Sequence, residues 1–479
     1  MSKRNEIMVC IRQPAQTVAG PVRLRHVLTL LLSIVCALSI FGPAQGSEPT
    51  LPALAPTPLF TTTPPTNASL FSQSAPTRKP KGPWVRHQRP VIITPEAIRM
   101  LHPTGTAQQV EMTMDLHTAG THIADLKTRE DRTGMPNMRA WTGKLKQVQD
   151  SDVTIVMKDN VLAGSIRTGH TIYEIRPSAA GQHDLIEIDA DALPSDHHPV
   201  PVTQEDLGVA DALTGAVAPG SAPAVAIDAG SLIDVMVVYT TAAKNANGGQ
   251  TGIEALITLA VTLVNQAFTN SQINTQFRLV RTGEVTYTES GNYNTDLSRL
   301  RSPTDGFMDE VHGWRDQSKA DLVSLIEDNL GGVCGVAYVM APVNAQFSTF
   351  AFSLVQDSCV SGYTFAHELG HNMGSMHDRT EGGTGAFPYS YGHRTAGQFR
   401  TIMAATPCTP SCPRVNHYSN PNVRYQNTWT TGIDDNVDPV NSADNARAFT
   451  NALNTVANFR NSGDTTAPTA PANLRIIGP

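Results

Sequence analysis

Residues 367–378 read His-Glu-Leu-Gly-His-Asn-Met-Gly-Ser-Met-His-Asp, and this run narrows the local structure more than any other part of the chain. On a helix, His367 and His371 stand one turn apart on one face, so both imidazoles reach a single metal ion. Glu368 sits beside the first histidine, where its carboxylate reaches a metal-bound water without ligating. That is the place a general base needs. Gly374 falls where such a helix must end, and a left-handed residue there, commonly glycine, reverses the chain. The reversal brings up His377 as a third nitrogen donor. Three protein ligands leave a fourth position open, the layout of a catalytic rather than a structural zinc site. A bare His-Glu-x-x-His is modest evidence, since helical histidines also serve packing. With Gly374, His377 and Asp378 in register the pattern becomes specific.

The stretch around this run alternates strand and helix signals, which points to an α/β domain. Residues 233–239, 276–280, 321–327, 335–340 and 350–356 read as strands. Residues 252–268 carry apolar positions at helical spacing, 305–317 read as a helical region, and 442–459 as a closing helix with Phe449, Leu453, Val456 and Phe459 on one stripe. Earlier in the chain, from about 83 to 189, short alternating runs such as Asp152–Met157, Val161–Arg167, Thr171–Arg176 and Asp184–Asp189 are separated by turn signals, which predicts a β-meander. Nothing in that part has a catalytic spacing.

Arg12, Arg23 and Arg25 precede an apolar run from Val27 to Phe41, followed by the small residues of Ala44-Gln45-Gly46, so residues 1–46 read as an export signal. The run, about 15 residues, is shorter than the ~20 a spanning helix needs. Residues 47–82 are rich in Pro, Thr and Ser and read as a linker. Residues 203–230, mostly Ala, Gly, Pro and Val, read as an exposed connector where processing would occur. Residues 463–479 resemble the linker and first strand of a fibronectin type III domain, which would make them a remnant or the mark of a truncated product.

Composition excludes some functions. The net charge of −7 has no block of one sign, so the chain carries no electrostatic footprint for nucleic acid and no basic helix face for a membrane. Of six cysteines, Cys10 and Cys36 fall in the signal. The even remainder, Cys334, Cys359, Cys408 and Cys412, suggests two disulfides in an exported chain, with three pairings open. The sequence-local pairings Cys334–Cys359 and Cys408–Cys412 are favoured. Cys408-Thr-Pro-Ser-Cys412 also has a metal-binding spacing, but no second pair lies nearby.

The twelve-residue run resembles the signature of the metzincins, and Asp378 makes it similar to the adamalysin or reprolysin branch. The resemblance spans roughly residues 232–461. It implies an α/β metzincin catalytic domain (231–462) with a mixed twisted sheet, an active-site helix and a C-terminal subdomain, preceded by a β-rich propeptide (83–202). It further implies a secreted zinc metalloendopeptidase made as a zymogen, with one Zn2+ held by His367, His371 and His377, and Glu368 as base for a zinc-activated water. Gly374 and Asp378 would support the loop, and Met403, in Arg400-Thr-Ile-Met-Ala404, would form the methionine turn beneath the metal. Ala405 stands where astacins and serralysins carry a tyrosine. Ca2+ is allowed, but no residue pattern argues for it.

The implied partners are protein or peptide substrates, lying extended along 335–340. No stable membrane association is expected once the signal is cleaved. Many propeptides of this family silence zinc with a cysteine, and none lies between Ser47 and Val333. His117, His122, Asp196, His197 and His198 are substitutes in principle, yet read better as exposed polar residues. Residues 408–418 would form the wall of the pocket after the scissile bond. There Arg414 suits an acidic side chain, as in peptidyl-Asp metallopeptidases, but reads better as a surface arginine. His417 lies outside the metal pattern. A dead relative would have lost the glutamate or a ligand, and a surface-attachment role has no binding motif behind it.

Overall fold

A computed structural model describes residues 67–72, 82–129, 136–178, 182–208, 232–405 and 408–461. The expected signal, the linker apart from 67–72 and 82, the connector beyond 208 and the tail beyond 461 lie outside the described residues.

The N-terminal part is β-rich. Strands β1 (Asn67–Ser69), β2 (Phe71–Ser72), β3 (Val85–Ile93), β4 (Gln109–Leu116), β5 (Gly120–Arg129), β6 (Met138–Leu145), β7 (Ser151–Lys158), β8 (Val161–Thr168), β9 (Thr171–Pro177) and β10 (His183–Asp189) form one sheet, and helix α1 (Pro95–Leu101) follows β3. The sheet order is β1-β4-β5-β6-β7-β8-β9-β10-β3-β2, so β4 to β10 form a continuous antiparallel meander. Val91, Met112, Trp141, Ile155 and Leu185 come from distant strands yet share one buried cluster with Leu101 of α1, so the sheet curls around its own core. Residues 67–72, read above as linker, are instead built into its edges. Leu70 and Phe71 are buried in that core, and this apolar pair outweighs the surrounding linker-like composition.

The second sheet contains β11 (Val200–Pro201), β12 (Leu232–Thr240), β13 (Gln276–Val285), β14 (Leu322–Glu327), β15 (Gly335–Val339) and β16 (Phe352–Gln356) in the order β11-β15-β16-β14-β12-β13. Strands β12, β13, β14 and β16 are parallel, whereas β15 runs antiparallel to β16. Helices α2 (Thr241–Ala246), α3 (Gln250–Asn270), α4 (Tyr293–Arg301), α5 (Glu310–Ser318), α6 (Thr364–Asn372) and α7 (Asn445–Val456) accompany it. Strands β12, β14 and β16 are buried throughout, as expected of strands covered on both faces, whereas the edge strand β13 is only partly buried.

One helical expectation needs correction, and one helix was not expected. Residues 305–309 are turns, not helix: Gly306 (φ +86°) and Met308 (φ +56°) take left-handed backbone, and α5 begins at Glu310. Helix α4 escaped the sequence reading because only Leu297 and Leu300 of its apolar residues are buried in a polar stretch.

Helix α3 alone among the described residues is long and apolar enough to cross a membrane, but 94% of its apolar window is buried inside the protein. Ala140, Val156 and Ala163 of the first sheet share its core, alongside residues of the second sheet. Lys158 pairs with Glu254 of α3 at 3.0 Å, and Thr154 donates to Gln266 at 3.0 Å. Cys334–Cys359 and Cys408–Cys412 are disulfides.

Candidate metal centre

Helix α6 carries the first two histidines, and its ending positions the third. Gly374 takes φ +93°; its N–H donates to His371 O at 2.9 Å, and Ser375 N–H donates to Gly370 O at 3.0 Å. This pair of bonds is a Schellman ending, which satisfies carbonyls left over at the helix terminus while turning the chain back. A Cβ at Gly374 would lie 2.5 Å from Ala386 Cβ and 2.9 Å from Met340 O. Glycine is therefore required by both backbone and space. Three residues on, His377 lies in the short strand Met376–Asp378 and faces the helix.

His367 and His371 Nε2 are 3.0 Å apart, and His367 and His377 Nε2 are 3.1 Å apart. His367 Nδ1–H donates to Ile402 O at 2.8 Å, and His371 Nδ1–H to Ser375 O at 2.7 Å. Those two bonds place the ring protons on Nδ1, so both Nε2 atoms point lone pairs at a common centre. Lone pairs at this separation repel unless a cation lies between them. Burial lowers the His367 pKa to about 4 and pushes His371 and His377 well down, with mutual repulsion among the rings adding to the last two. The neutral imidazole that results is the ligating form. The donor set therefore fits a small divalent ion that prefers nitrogen.

Glu368 is fully buried, and neither carboxylate oxygen has a hydrogen-bond partner among the described residues. Burial, with Asp196 adding to it, raises its pKa well above the usual carboxylate range. Its Oε1 lies against Gly335 of β15, where a Cβ would approach to 2.5 Å. The carboxylate thus stands between helix and edge strand, beside the triad. Asn372 tightens the same seam by donating to Tyr338 O at 2.8 Å.

The remaining expected residues brace the centre. Met403 is buried under α6, its Sδ against Gly370, and Ile402 supplies the carbonyl that orients His367. Asp378 accepts from Thr380 N at 3.0 Å and from Ala405 N at 3.1 Å, tying the third histidine's loop to the methionine segment. Cys334 precedes β15 and Cys359 precedes α6, so their disulfide joins the approaches to both. Cys408 and Cys412 close a small loop just before Arg414.

The end of the N-terminal part, past β10, lies in the cleft. Cys334 N–H donates to Ser195 O at 3.1 Å, His197 N–H donates to Gly335 O at 2.8 Å, and β11 pairs with β15 in parallel, Val200 opposite Tyr338. Two expectations fail here. The Asp196 side chain is 5% exposed rather than open, pairing with Arg414 and accepting from Thr364 Oγ1 at 2.8 Å; its Oδ2 is 3.8 Å from His367 Nδ1. Burial alone would raise the Asp196 carboxyl, but Arg414 and His367 hold it well below its usual range. Arg414 is likewise buried, not a surface residue. Neither fact follows from local sequence, because partners 218 residues apart create them. Pro194, Pro199 and Pro201, which favour extended backbone, were the one available hint. Three other candidates stand apart from the triad: His117 bonds to Leu185 O and His122 to Ala119 O within the first sheet, and the His197 ring lies 4.2 Å from that of Tyr293, tilted by 38°. His198 is exposed, its ring 5.1 Å from that of His377. Thr364, Arg400 and Asn372 were not singled out by sequence.

Known proteins resemble the chain in the same region. The family model for metallo-peptidase family M12 matches residues 230–419. A peptidyl-Asp metalloendopeptidase of Stenotrophomonas maltophilia is 34% identical over 343 residues, covering 69% of this chain and 75% of the relative. One from Xanthomonas campestris pv. campestris is 34% identical over 311 residues, covering 64% and 69%. Metalloproteinase-II from Bacteroides fragilis is 13% identical with a TM-score of 0.36, over 57% of this chain and 82% of that one, too slight a likeness to carry an argument. With the histidine cluster and these relatives together, the chain belongs to the reprolysin-like metzincin metallopeptidases of family M12.

Proposed function

We propose that the chain is an exported, zinc-dependent endopeptidase made with an inhibitory leader, and that it prefers aspartate beside the bond it cuts. The observation that carries the reading is the convergence of three neutral imidazoles, two of them oriented through Nδ1–H bonds, beside a buried carboxylate with no other partner.

His367, His371 and His377 would hold the zinc through Nε2, and Asp378 and Met403 keep them in register. When bound, zinc supplies Lewis acidity to the scissile carbonyl and to the attacking water. Glu368 takes the proton from that water. Its raised pKa and lack of competing hydrogen bonds suit it to keep the proton briefly and deliver it to the leaving amine. The edge of β15 would hold the substrate main chain by strand pairing. Residues 195–201 occupy that edge, which supports reading the β-rich part as a propeptide and 203–230 as the connector where it is removed. The preference for aspartate is taken from the relatives' activity and is supported by the buried Arg414. Export is supported by the N-terminal sequence pattern and by the presence of two disulfides.

The test is casein hydrolysis by the processed chain and by Glu368→Ala, each with its zinc content measured. Loss of at least ~10³-fold with zinc retained is expected, given the weight of a general base plus the water it orients. Equal activity in both proteins, with zinc bound, would sink the mechanism.

A further inference from the structure

We infer that Arg414 and Thr364 form the subsite that reads an aspartate side chain flanking the scissile bond, and that Asp196 of the leader fills this subsite as a built-in mimic of the substrate. The inference rests on the endopeptidase reading above and gives its specificity a location.

Arg414 is fixed before any ligand arrives. Its Nη1 donates to Gly362 O at 3.2 Å, just ahead of α6, and its backbone bridges to Arg400 through Val415 N–H donating to Arg400 O at 2.8 Å. The disulfide-closed loop 408–412 leads into it. Arg400 lies behind, fully desolvated, with its charge disfavoured by burial and by Arg414. This wall therefore brings two guanidinium groups close together in a buried place, and among the described residues Asp196 is the carboxylate paired with Arg414. Replacing the Asp196 carboxylate in the intact chain would leave a buried cation without its counter-ion, a costly state, and departure of 195–201 would uncover Arg414 for an incoming carboxylate. A cavity of about 270 Å³ lies at this point, lined by Arg414, Arg400, Thr364, His367 and His377 as well as by leader residues.

The position and length of the bound carboxylate decide what is read. Asp196 Oδ2 is 3.8 Å from His367 Nδ1, so an acidic side chain held there lies against the ring of the first histidine of the triad. The main chain on either side of Asp196 is hydrogen-bonded to the start of β15, through Ser195 O and His197 N. From that fixed backbone, the aspartate reaches both Thr364 Oγ1 and Arg414. A glutamate would carry one more methylene into the guanidinium, and an asparagine would present no charge to it. A site built on buried polar groups rejects analogues that leave them unpaired far more strongly than an apolar pocket does.

Two experiments test this. In the full zinc-loaded chain, amide exchange over 333–340 is measured for wild type, Asp196→Asn, Arg414→Gln and the double variant. Each single change is expected to speed exchange by about tenfold or more, and the double little further, because both break one contact. Then the chain cleaved in its connector is assayed on peptides that differ only in Asp, Asn or Glu at one position. Wild type is expected to favour Asp by about 100-fold in kcat/KM, Arg414→Gln to lose most of that ratio, and Arg414→Lys to keep part of it. Unchanged exchange in Asp196→Asn, or an undiminished Asp preference in a folded, zinc-binding Arg414→Gln, overturns the inference. An active wild type with no preference for Asp also overturns it, while leaving the endopeptidase reading intact. A zinc-loaded, processed wild type that cuts no peptide sinks the endopeptidase reading instead, and the exchange experiment still judges the contact.

Discussion

Met403 rests its sulfur where a side chain on Gly370 would have to be. A Cβ there would lie 2.4 Å from Met403 Sδ and 3.1 Å from its Cε, so the helix and the turn beneath it meet through the missing side chain. Gly370→Ala should cost about 1–3 kcal/mol, the usual range for overpacking a filled core. Urea unfolding measures it, and the cost should shrink in a Met403→Ala background, where the space is open. A cost that is the same in both backgrounds would mean that the two residues do not limit each other.

Gly374 is constrained more severely, since its neighbours there include the fixed carbonyl of Met340 and its backbone is left-handed. Gly374→Ala adds roughly 1–2 kcal/mol of backbone strain to the clash. Because His377 follows the turn it makes, zinc affinity should fall at least about tenfold along with stability. Competition against a chelator reads this directly, and unaltered affinity would show that the turn does not position His377.

Metal removal gives a third expectation. A ligand bound to the native state at about 1,000 times its Kd adds roughly 4 kcal/mol. Chelation should therefore lower the melting temperature of the full chain, and zinc should restore it. In His371→Ala the difference between the two conditions should largely vanish. If chelation leaves the wild-type melting curve where it was, the triad is not holding an ion that matters to the fold.

His183 sets a pH dependence in the N-terminal β-rich part. Burial lowers its pKa to about 4, and its Nε2 accepts from Leu162 N–H at 3.0 Å. The unfolded chain binds the proton more readily, so this contribution to stability is complete above about pH 6.5 and is lost as pH falls toward 4. A shift of this size corresponds to about 3 kcal/mol at most. His183→Gln should flatten the slope of stability against pH between those limits, as measured by unfolding at a series of pH values. A slope identical to wild type would assign the dependence to other groups.

The centre was legible because its chemistry is written consecutively. His367, His371, Gly374 and His377 need only helix geometry and one left-handed residue to converge, and both are local properties. Strands β7 to β10 were legible for the same reason, through alternation and turn residues. Arg414 and Asp196 were misread because exposure is set by what the rest of the chain lays over a residue. Composition favours a surface arginine, and only the threading of 195–201 into the cleft reverses that. Residues 67–72 show the same limit on a smaller scale, where two apolar side chains in a linker-like stretch find a core formed mostly by later strands.

Helix α3 carries a consequence for the proposed activation. Its surroundings include Ala140, Val156 and Ala163 of the N-terminal sheet as well as the second sheet, with Lys158–Glu254 sealing the seam. Severing the chain after residue 208 would cut one covalent path and leave this apolar contact untouched. The product of that cut would be a nicked, non-covalent complex, released at a rate set by dissociation or by digestion of the leader rather than by the cut itself. Once released, the enzyme would present to the solvent the face of α3 on which Glu254, Thr258 and Gln266 meet Lys158, Met138 and Thr154.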